Sequence, residues 1–365
     1  MRKRKKVKKK VYLFFIVIIL VICGFVLLNR QKNNSNYNQG VFEELNDKQK
    51  SDIQTKPYSK TLEEMTLNHL FIEEYYEEYL KIDYKELNNF LENTNTLLKK
   101  GYKADEINNI FNLSENNITK LLKKEYLNLY DYWQIKNLDI DNYERYIAYK
   151  EKHNLELKDV VTYVNIGVDL EPYANTTITT DPDNYLVLVN KFNGIDKSYQ
   201  PKDLVSVPGY YGNNVSMRKA AKEALEKLQA TVKEEIGTSL LPTTAYRGYS
   251  FQATLYNNYV SKDGVKKADT YSARPGFSEH QTGLAIDLKN PKLTDVRLNE
   301  KDYDWLKNNA HRFGFIIRFP KDKELLTGYG EENWHIRYVG EEVAKIIYEN
   351  NLCLEEYIDL YIKEY

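Results

Sequence analysis

"SARPGFSEHQTGLAIDL", residues 272–288, carries one of five histidines in a chain of 365 residues, with an aspartate seven positions after it. Within it, Leu284-Ala285-Ile286-Asp287-Leu288 alternates with the period of a half-buried strand. Side chains two apart on a strand share a face, so Leu284, Ile286 and Leu288 are predicted to enter a core while Ala285 and Asp287 face away from it. Gly283 supplies the bend that brings His280 back beside Asp287.

"GYGEENWHIRYVG", residues 328–340, repeats the pattern. Trp334, Ile336 and Tyr338 alternate against His335 and Arg337, which places His335 in the same cleft from a neighbouring strand. Two imidazoles and one carboxylate, His280, His335 and Asp287, are the composition of a catalytic zinc site, in which three protein ligands leave a fourth position for water. Glu332, three residues before His335, is near enough to address that water without being a ligand. Metal-assisted amide hydrolysis needs such an acid, as base toward the water and then as proton donor to the leaving amine. Taken singly, each residue has a structural reading: a histidine in a mixed-polarity strand is more often hydrogen-bonded within the fold, and Asp287 alone is a strand-end carboxylate. His311, in "NNAHRFGF" before Gly314, has no carboxylate at ligand spacing, and His69 and His153 lie in helical sequence. These three are read as packing or capping.

The chain begins MRKRKKVKKK, eight of ten residues basic, followed by the uncharged run Val11 to Leu28. A membrane-spanning helix needs about 20 apolar residues, and a basic flank stays in the cytoplasm, so the chain after Asn29 is expected outside the membrane. A cleavable signal peptide competes, but its apolar stretch is usually about 7–15 residues and ends at a small-residue site not seen here. A lipoprotein reading of "LVIC" is disfavoured by bulky Ile22 and by the apolar run continuing past Cys23. Beyond residue 30, 43 basic residues face 53 acidic ones, a formal charge of about −10, which removes the electrostatic footing for nucleic-acid binding. Cys353 has no obvious partner, so stability must come from a core rather than from disulfides.

Residues 1–10 are thus a basic cytoplasmic tail, 11–28 a transmembrane anchor, and 29–60 an Asn/Lys/Gln/Ser-rich flexible linker. From 61 to 180 the pattern is helical: Leu87, Phe90, Leu91 and Leu98 share one face before Gly101, then Ile107, Ile110 and Phe111, then Ile118, Leu121, Leu122 and Leu129. "LLKK" at 97–100 recurs at 121–124, a weak sign of short helix–turn–helix repeats. A helical spacer is preferred to a ligand-binding role. "NYLVLVN", residues 184–190, reads as a strand, and Met217 to Glu235 as a helix with Ala221, Leu225, Leu228 and Val232 inward. "TSLLPTTAYRGYS" reads as a strand leading into a turn. Such elements without βαβ spacing predict an α+β domain over 181–352, with 353–365 as a C-terminal tail.

The pattern "SxHxxGxAxD" at Ser278, His280, Gly283, Ala285 and Asp287, followed after 44 residues by "ExxH" at Glu332 and His335, resembles the VanY-type D-alanyl-D-alanine carboxypeptidases. Segments 189–205, 245–252, 305–320 and 327–340 are similar to the family's in the family's order, so the resemblance spans roughly 185–350. It implies an α+β zinc peptidase domain, shared with the VanX dipeptidases and the Hedgehog signalling domain, with a small, mainly antiparallel sheet flanked by helices. It implies Zn2+ held by His280, Asp287 and His335, with Glu332 as catalytic acid/base and Arg247 steadying the carbonyl oxygen as it becomes an oxyanion. Gln252 and Ser278 match positions lining the substrate groove, and Arg274 is a candidate contact for a substrate carboxylate. The implied partner is a peptidoglycan stem peptide, and the implied place is the outer face of a bacterial cell membrane, single-pass. L,D-carboxypeptidase or endopeptidase action on the same peptides, or a non-catalytic wall-binding role, stays open at this point. So do the oligomeric state and a partner-binding scaffold role for the helical region. One departure stands out: the family usually has proline where Asn333 stands, which is expected to loosen the approach of Glu332.

Overall fold

The computed structural model describes residues 40–123, 129–132 and 135–363. The predicted basic tail and anchor lie outside the described residues. Among the described residues no helix is long and apolar enough to cross a membrane. The chain divides into two compact units, Met1–Trp133 and Gln134–Tyr365.

In the first unit the chain forms α1 (Val41–Glu44), α2 (Asp47–Asp52), α3 (Lys60–Leu67), α4 (Phe90–Lys99), α5 (Ala104–Ile110) and α6 (Glu115–Lys123). Residues 40–60 are not the tether that composition suggests. Asn46 and Gln49 close a capping box on α2, and Val41, Leu45 and Ile53 are buried. Two satisfied backbone donors and three well-placed apolar residues order a stretch that is polar on average. Phe90, Leu98, Ile107, Ile110, Phe111, Ile118 and Leu121 are buried as their spacing predicts, and Gly101 turns the chain at φ +92°.

The second unit begins well before residue 181. Its helices α7 (Tyr143–Lys152) and α8 (Leu157–Asn165) fall inside it, and the buried amide of Asn137 donates to the Asp359 carboxylate and the Thr162 hydroxyl. One hydrogen-bond lock occurs in both units. Tyr79 donates to Asn95, whose amide donates to Leu70 O at 2.7 Å; Tyr146 donates to Asn165, whose amide donates to Asn137 O at 2.7 Å. The same helical texture runs through both units, so a boundary drawn where the helices end falls too late.

After α8 come β1 (Leu204–Pro208), β2 (Asn214–Arg218), α9 (Lys219–Ile236), β3 (Leu241–Thr244), α10 (Tyr249–Asp263), β4 (Ala285–Lys289), α11 (Glu300–Asn309), β5 (Phe315–Ile317), β6 (His335–Tyr338) and α12 (Glu341–Glu349). β1 and β2 form a hairpin, and a four-stranded sheet in the order β3-β4-β6-β5 is antiparallel throughout. Leu284, Ile286, Leu288 and Ile336 pack with Leu225, Leu228 and Val232 of α9 in one core. This is the α+β arrangement expected, with the alternation of residues 284–288 as predicted.

Residues 184–190 are not a strand. Their alternation is real, since Val187 and Val189 enter one apolar cluster while Leu186 and Leu188 pack on another. Their carbonyls, however, face a side chain: Arg337 Nη2 donates to Tyr185 O at 3.0 Å and to Val187 O at 2.8 Å. Nor are residues 353–363, of the predicted tail 353–365, a tail. Leu354, Tyr357 and Ile358 are buried, and Glu355 accepts two hydrogen bonds from buried Arg318, at 2.6 and 2.9 Å. Cys353 is free and buried. Breaking a buried ion pair from one side costs about 3–5 kcal/mol, because the remaining charge is stranded. Glu355→Gln is therefore expected to lower the unfolding free energy by about that amount in a urea titration, and truncation after Leu352 to abolish the cooperative transition of the second unit.

Candidate metal centre

The antiparallel register sets Asp287 of β4 directly opposite His335 of β6. His280 reaches them from a single 3-10 turn, Glu279–Thr282, which Gly283 ends at φ +68°. The positive φ is what favours glycine there; a Cβ would also meet a Leu204 methyl at 2.9 Å. The turn is held from two sides: Arg218 N–H donates to Gly283 O at 3.0 Å and Arg247 N–H to His280 O at 3.1 Å.

His280 Nδ1 lies 2.6 Å from Ala245 O, so it donates there and leaves Nε2 as a lone pair, 3.5 Å from Asp287 Oδ2. His335 Nδ1 lies 3.1 Å from Asp287 Oδ1 and 3.3 Å from Glu332 Oε2. Ligand atoms of His280, Asp287 and His335 fall within 4.8 Å of one another. Asp287 Oδ1 is buried without a hydrogen-bond partner. An orphaned buried carboxylate oxygen converging with two imidazole nitrogens is what a divalent cation satisfies, and the donor set fits zinc.

The electrostatics agree. Burial, then Arg247, pushes His280 below its ordinary pKa, which keeps it neutral. Burial opposes ionisation of Asp287, but the two imidazoles outweigh it and hold the carboxyl well below the usual range. Burial likewise opposes the charge on His335, yet the carboxylates of Asp287, Glu279 and Glu332 raise it well above an ordinary histidine. Three carboxylates thus surround His335 at the point where a cation would sit.

Arg247, Gln252, Ser278 and Glu332 line one cleft with these three residues. Arg247 Nη1 lies 3.5 Å from Asp287 Oδ2, and its Nε donates to Gln252 Oε1 at 3.2 Å. Gln252 in turn donates to Ala273 O at 2.8 Å.

Residues 214–341 match the family model described as "VanY: D-alanyl-D-alanine carboxypeptidase". A D-alanyl-D-alanine carboxypeptidase of Enterococcus faecalis is 46% identical over 207 residues, 53% of this chain and 74% of the relative. The chain belongs to the VanY family. A bifunctional D-Ala-D-Ala dipeptidase and carboxypeptidase of Enterococcus gallinarum, VanXYC, is 32% identical over 182 residues, covering 48% of this chain and 94% of that one. A solved LdcB LD-carboxypeptidase is 40% identical and covers 51% of this chain and 91% of its own, with a TM-score of 0.48. This VanY-family chain is a metallocarboxypeptidase.

Two expectations for the family residues change. Arg274 does not line the cleft: Asp269 takes its Nε and Nη2 at 3.1 and 2.8 Å, and its guanidinium stacks 4.1 Å from the Tyr173 ring centre. A bidentate partner five residues away uses the donors a substrate carboxylate would need. Asn333 does not loosen the approach of Glu332. Its buried amide accepts from Leu298 N–H at 3.1 Å and donates to Leu298 O at 2.9 Å, clamping the segment by other means than a proline ring. His311 stacks on Tyr348 at 3.9 Å, His153 on Tyr149 at 4.2 Å, and His69 bonds Glu44, all apart from the cluster. Glu279 is the residue that sequence reasoning missed. Its one signal was its place beside His280, in a turn whose four residues are all buried.

Leaving both main-chain groups of Leu298 unpaired should cost Asn333→Ala about 1–3 kcal/mol, measurable as a fall in the denaturation midpoint. Metal content should stay unchanged, since Asn333 touches no ligand.

Proposed function

We propose that the protein is a membrane-anchored zinc D-alanyl-D-alanine carboxypeptidase that removes the C-terminal D-alanine from peptidoglycan stem peptides outside a bacterial cell membrane. The observation that carries the reading is the convergence of His280, Asp287 and His335 in one cleft with Glu332 and Arg247. The apolar run Val11–Leu28 with its basic flank supports the anchor.

Zinc held by His280 Nε2, Asp287 and His335 Nδ1 would acidify a water toward a pKa of about 7 and polarise the scissile carbonyl. Glu332, whose Oε2 lies 3.3 Å from His335 Nδ1, takes the proton of the attacking water and returns it to the departing D-alanine nitrogen. Arg247 is aimed by Gln252 at the same point, so its fixed cation meets the negative charge that grows on the carbonyl oxygen. An interaction that strengthens only in the transition state raises turnover more than affinity. Ser278, buried on the cleft wall, offers a hydroxyl to the substrate backbone. A non-catalytic role on this fold would be marked by a missing ligand or a missing glutamate, and all four residues are present.

The ligand set is silent on which stem peptide is cut, because chirality is read by the cleft walls. With full-length protein in detergent, D-alanine release is expected from a synthetic pentapeptide ending in D-Ala-D-Ala; faster release from a tetrapeptide would assign L,D specificity instead. Glu332→Ala should lower kcat by about 10²–10⁴-fold, and Arg247→Ala by about 10²–10³-fold with a smaller change in KM. Release that survives Glu332→Ala would sink the mechanism. A strong chelator should abolish release and one equivalent of zinc should restore it, which a metal-independent hydrolase would not do.

A further inference from the structure

We propose that Glu279 is a positioning residue that fixes the ring of His335 for metal binding, and that Arg318 and Glu355 of the C-terminal segment's ion pair lock Glu279 in place. The inference rests on the metal-centre reading above. Glu279 Oε2 and His335 Nε2 are both buried without a hydrogen-bond partner, and they face each other at 3.5 Å. His335 presents Nδ1 to Asp287 and Glu332, so Nε2 must carry the proton whenever Nδ1 serves as a ligand. Two orphans that complement each other across a short gap define one hydrogen bond, Nε2–H to Oε2, that closes when the ring is drawn onto the metal.

The other oxygen of Glu279 is not free to swing. Oε1 accepts from Arg318 Nε at 2.6 Å and from Arg337 Nη1 at 2.7 Å. Arg318 spends its two remaining nitrogens on Glu355, and its own N–H donates to His335 O at 3.3 Å. Arg337 stands two residues beyond His335 on the same face of β6. The two arginines and two glutamates balance in charge and are buried. Burying such a quartet seldom stabilises a fold relative to apolar side chains, so its presence beneath a metal ligand calls for a role. A carboxylate behind a ligating imidazole selects its tautomer, orients the ring and raises its basicity. His280 receives the same service from a main-chain carbonyl, Ala245 O. The two histidines are therefore oriented by different means, and only that of His335 depends on side chains remote in sequence.

The test uses the full chain in detergent, with zinc as the probe. Ring nitrogen–proton correlation spectra of the zinc-loaded protein should show one histidine bound through Nε2 and one through Nδ1, the latter with a slowly exchanging Nε2 proton. His69→Gln, His153→Gln and His311→Gln remove the other three rings from the spectrum. Glu279→Gln should weaken zinc about 10–100-fold in chelator competition and shift the visible spectrum of the cobalt-substituted protein, which a merely structural residue would not do. Glu355→Gln should weaken zinc less than Glu279→Gln. Two zinc-bound rings both ligating through Nε2, or a Glu279→Gln protein with wild-type zinc affinity and cobalt spectrum, would overturn the proposal while leaving the metal centre intact. A wild-type chain that binds no zinc would overturn the metal reading, and the proposal with it. Should Glu279→Gln not fold, the wild-type ring spectrum decides alone.

Discussion

The pairing of Asp287 with His335 across β4 and β6 is the constraint on which the site depends. Slipping this register by one residue would turn both side chains into the core and bring Ile286 and Ile336 into the cleft. The slip is prevented from the other face. Leu284, Ile286, Leu288 and Ile336 are buried against α9, and each such side chain contributes roughly 1.5–3 kcal/mol. The donor geometry is thus imposed by apolar packing, and a metal enters a site already shaped.

The second face of the same strands is buried too, but under charge. Arg337, Glu279, Arg318 and Glu355 form a closed ion cluster beneath the cleft floor. Arg337 also spends Nη2 on the carbonyls of Tyr185 and Val187, doing for that segment what a neighbouring strand would do. One side chain therefore joins the metal ligand's surroundings to the entry of the catalytic fold, while Glu355 joins them to its exit. Burial costs each of these ions several kcal/mol, and only the full set of partners offsets that cost. The C-terminal segment belongs to the domain for this reason.

What the sequence makes legible is what short-range periodicity encodes. The two-residue alternation around Asp287 and His335 shows the sheet face and the convergence of the candidate ligands, and the spacing of Ala221, Leu225, Leu228 and Val232 shows the inner face of α9. What it hides are choices of partner. Nothing in "NYLVLVN" says that its carbonyls meet a guanidinium, and nothing in Arg274 says that Asp269 has claimed it. Glu355 looks like a surface acid until Arg318, 37 residues earlier, is placed beneath it. Residues 40–60 and 353–362 mislead in the same way. Their average polarity is that of a linker or tail, while a few apolar side chains and one cap or ion pair decide that they fold.

Under the proposed mechanism, rate and specificity are mechanically coupled in this cleft. Arg247, the cation assigned to the oxyanion in the proposed mechanism, donates to Gln252, and Gln252 is itself held by the carbonyl of Ala273. Ala273 lies in the wall segment that leads to Ser278. Under that mechanism, a change in the wall that admits a different peptide would move the Ala273 carbonyl, and through Gln252 the guanidinium assigned to the oxyanion. Misplacing a catalytic group by about 1 Å is enough to cost about 10²-fold in rate. Walls can therefore diverge freely only where they leave the Gln252 link intact. Asp287 and His335, set opposite each other by the strand register, sit beside that guanidinium, with Asp287 Oδ2 3.5 Å from Arg247 Nη1.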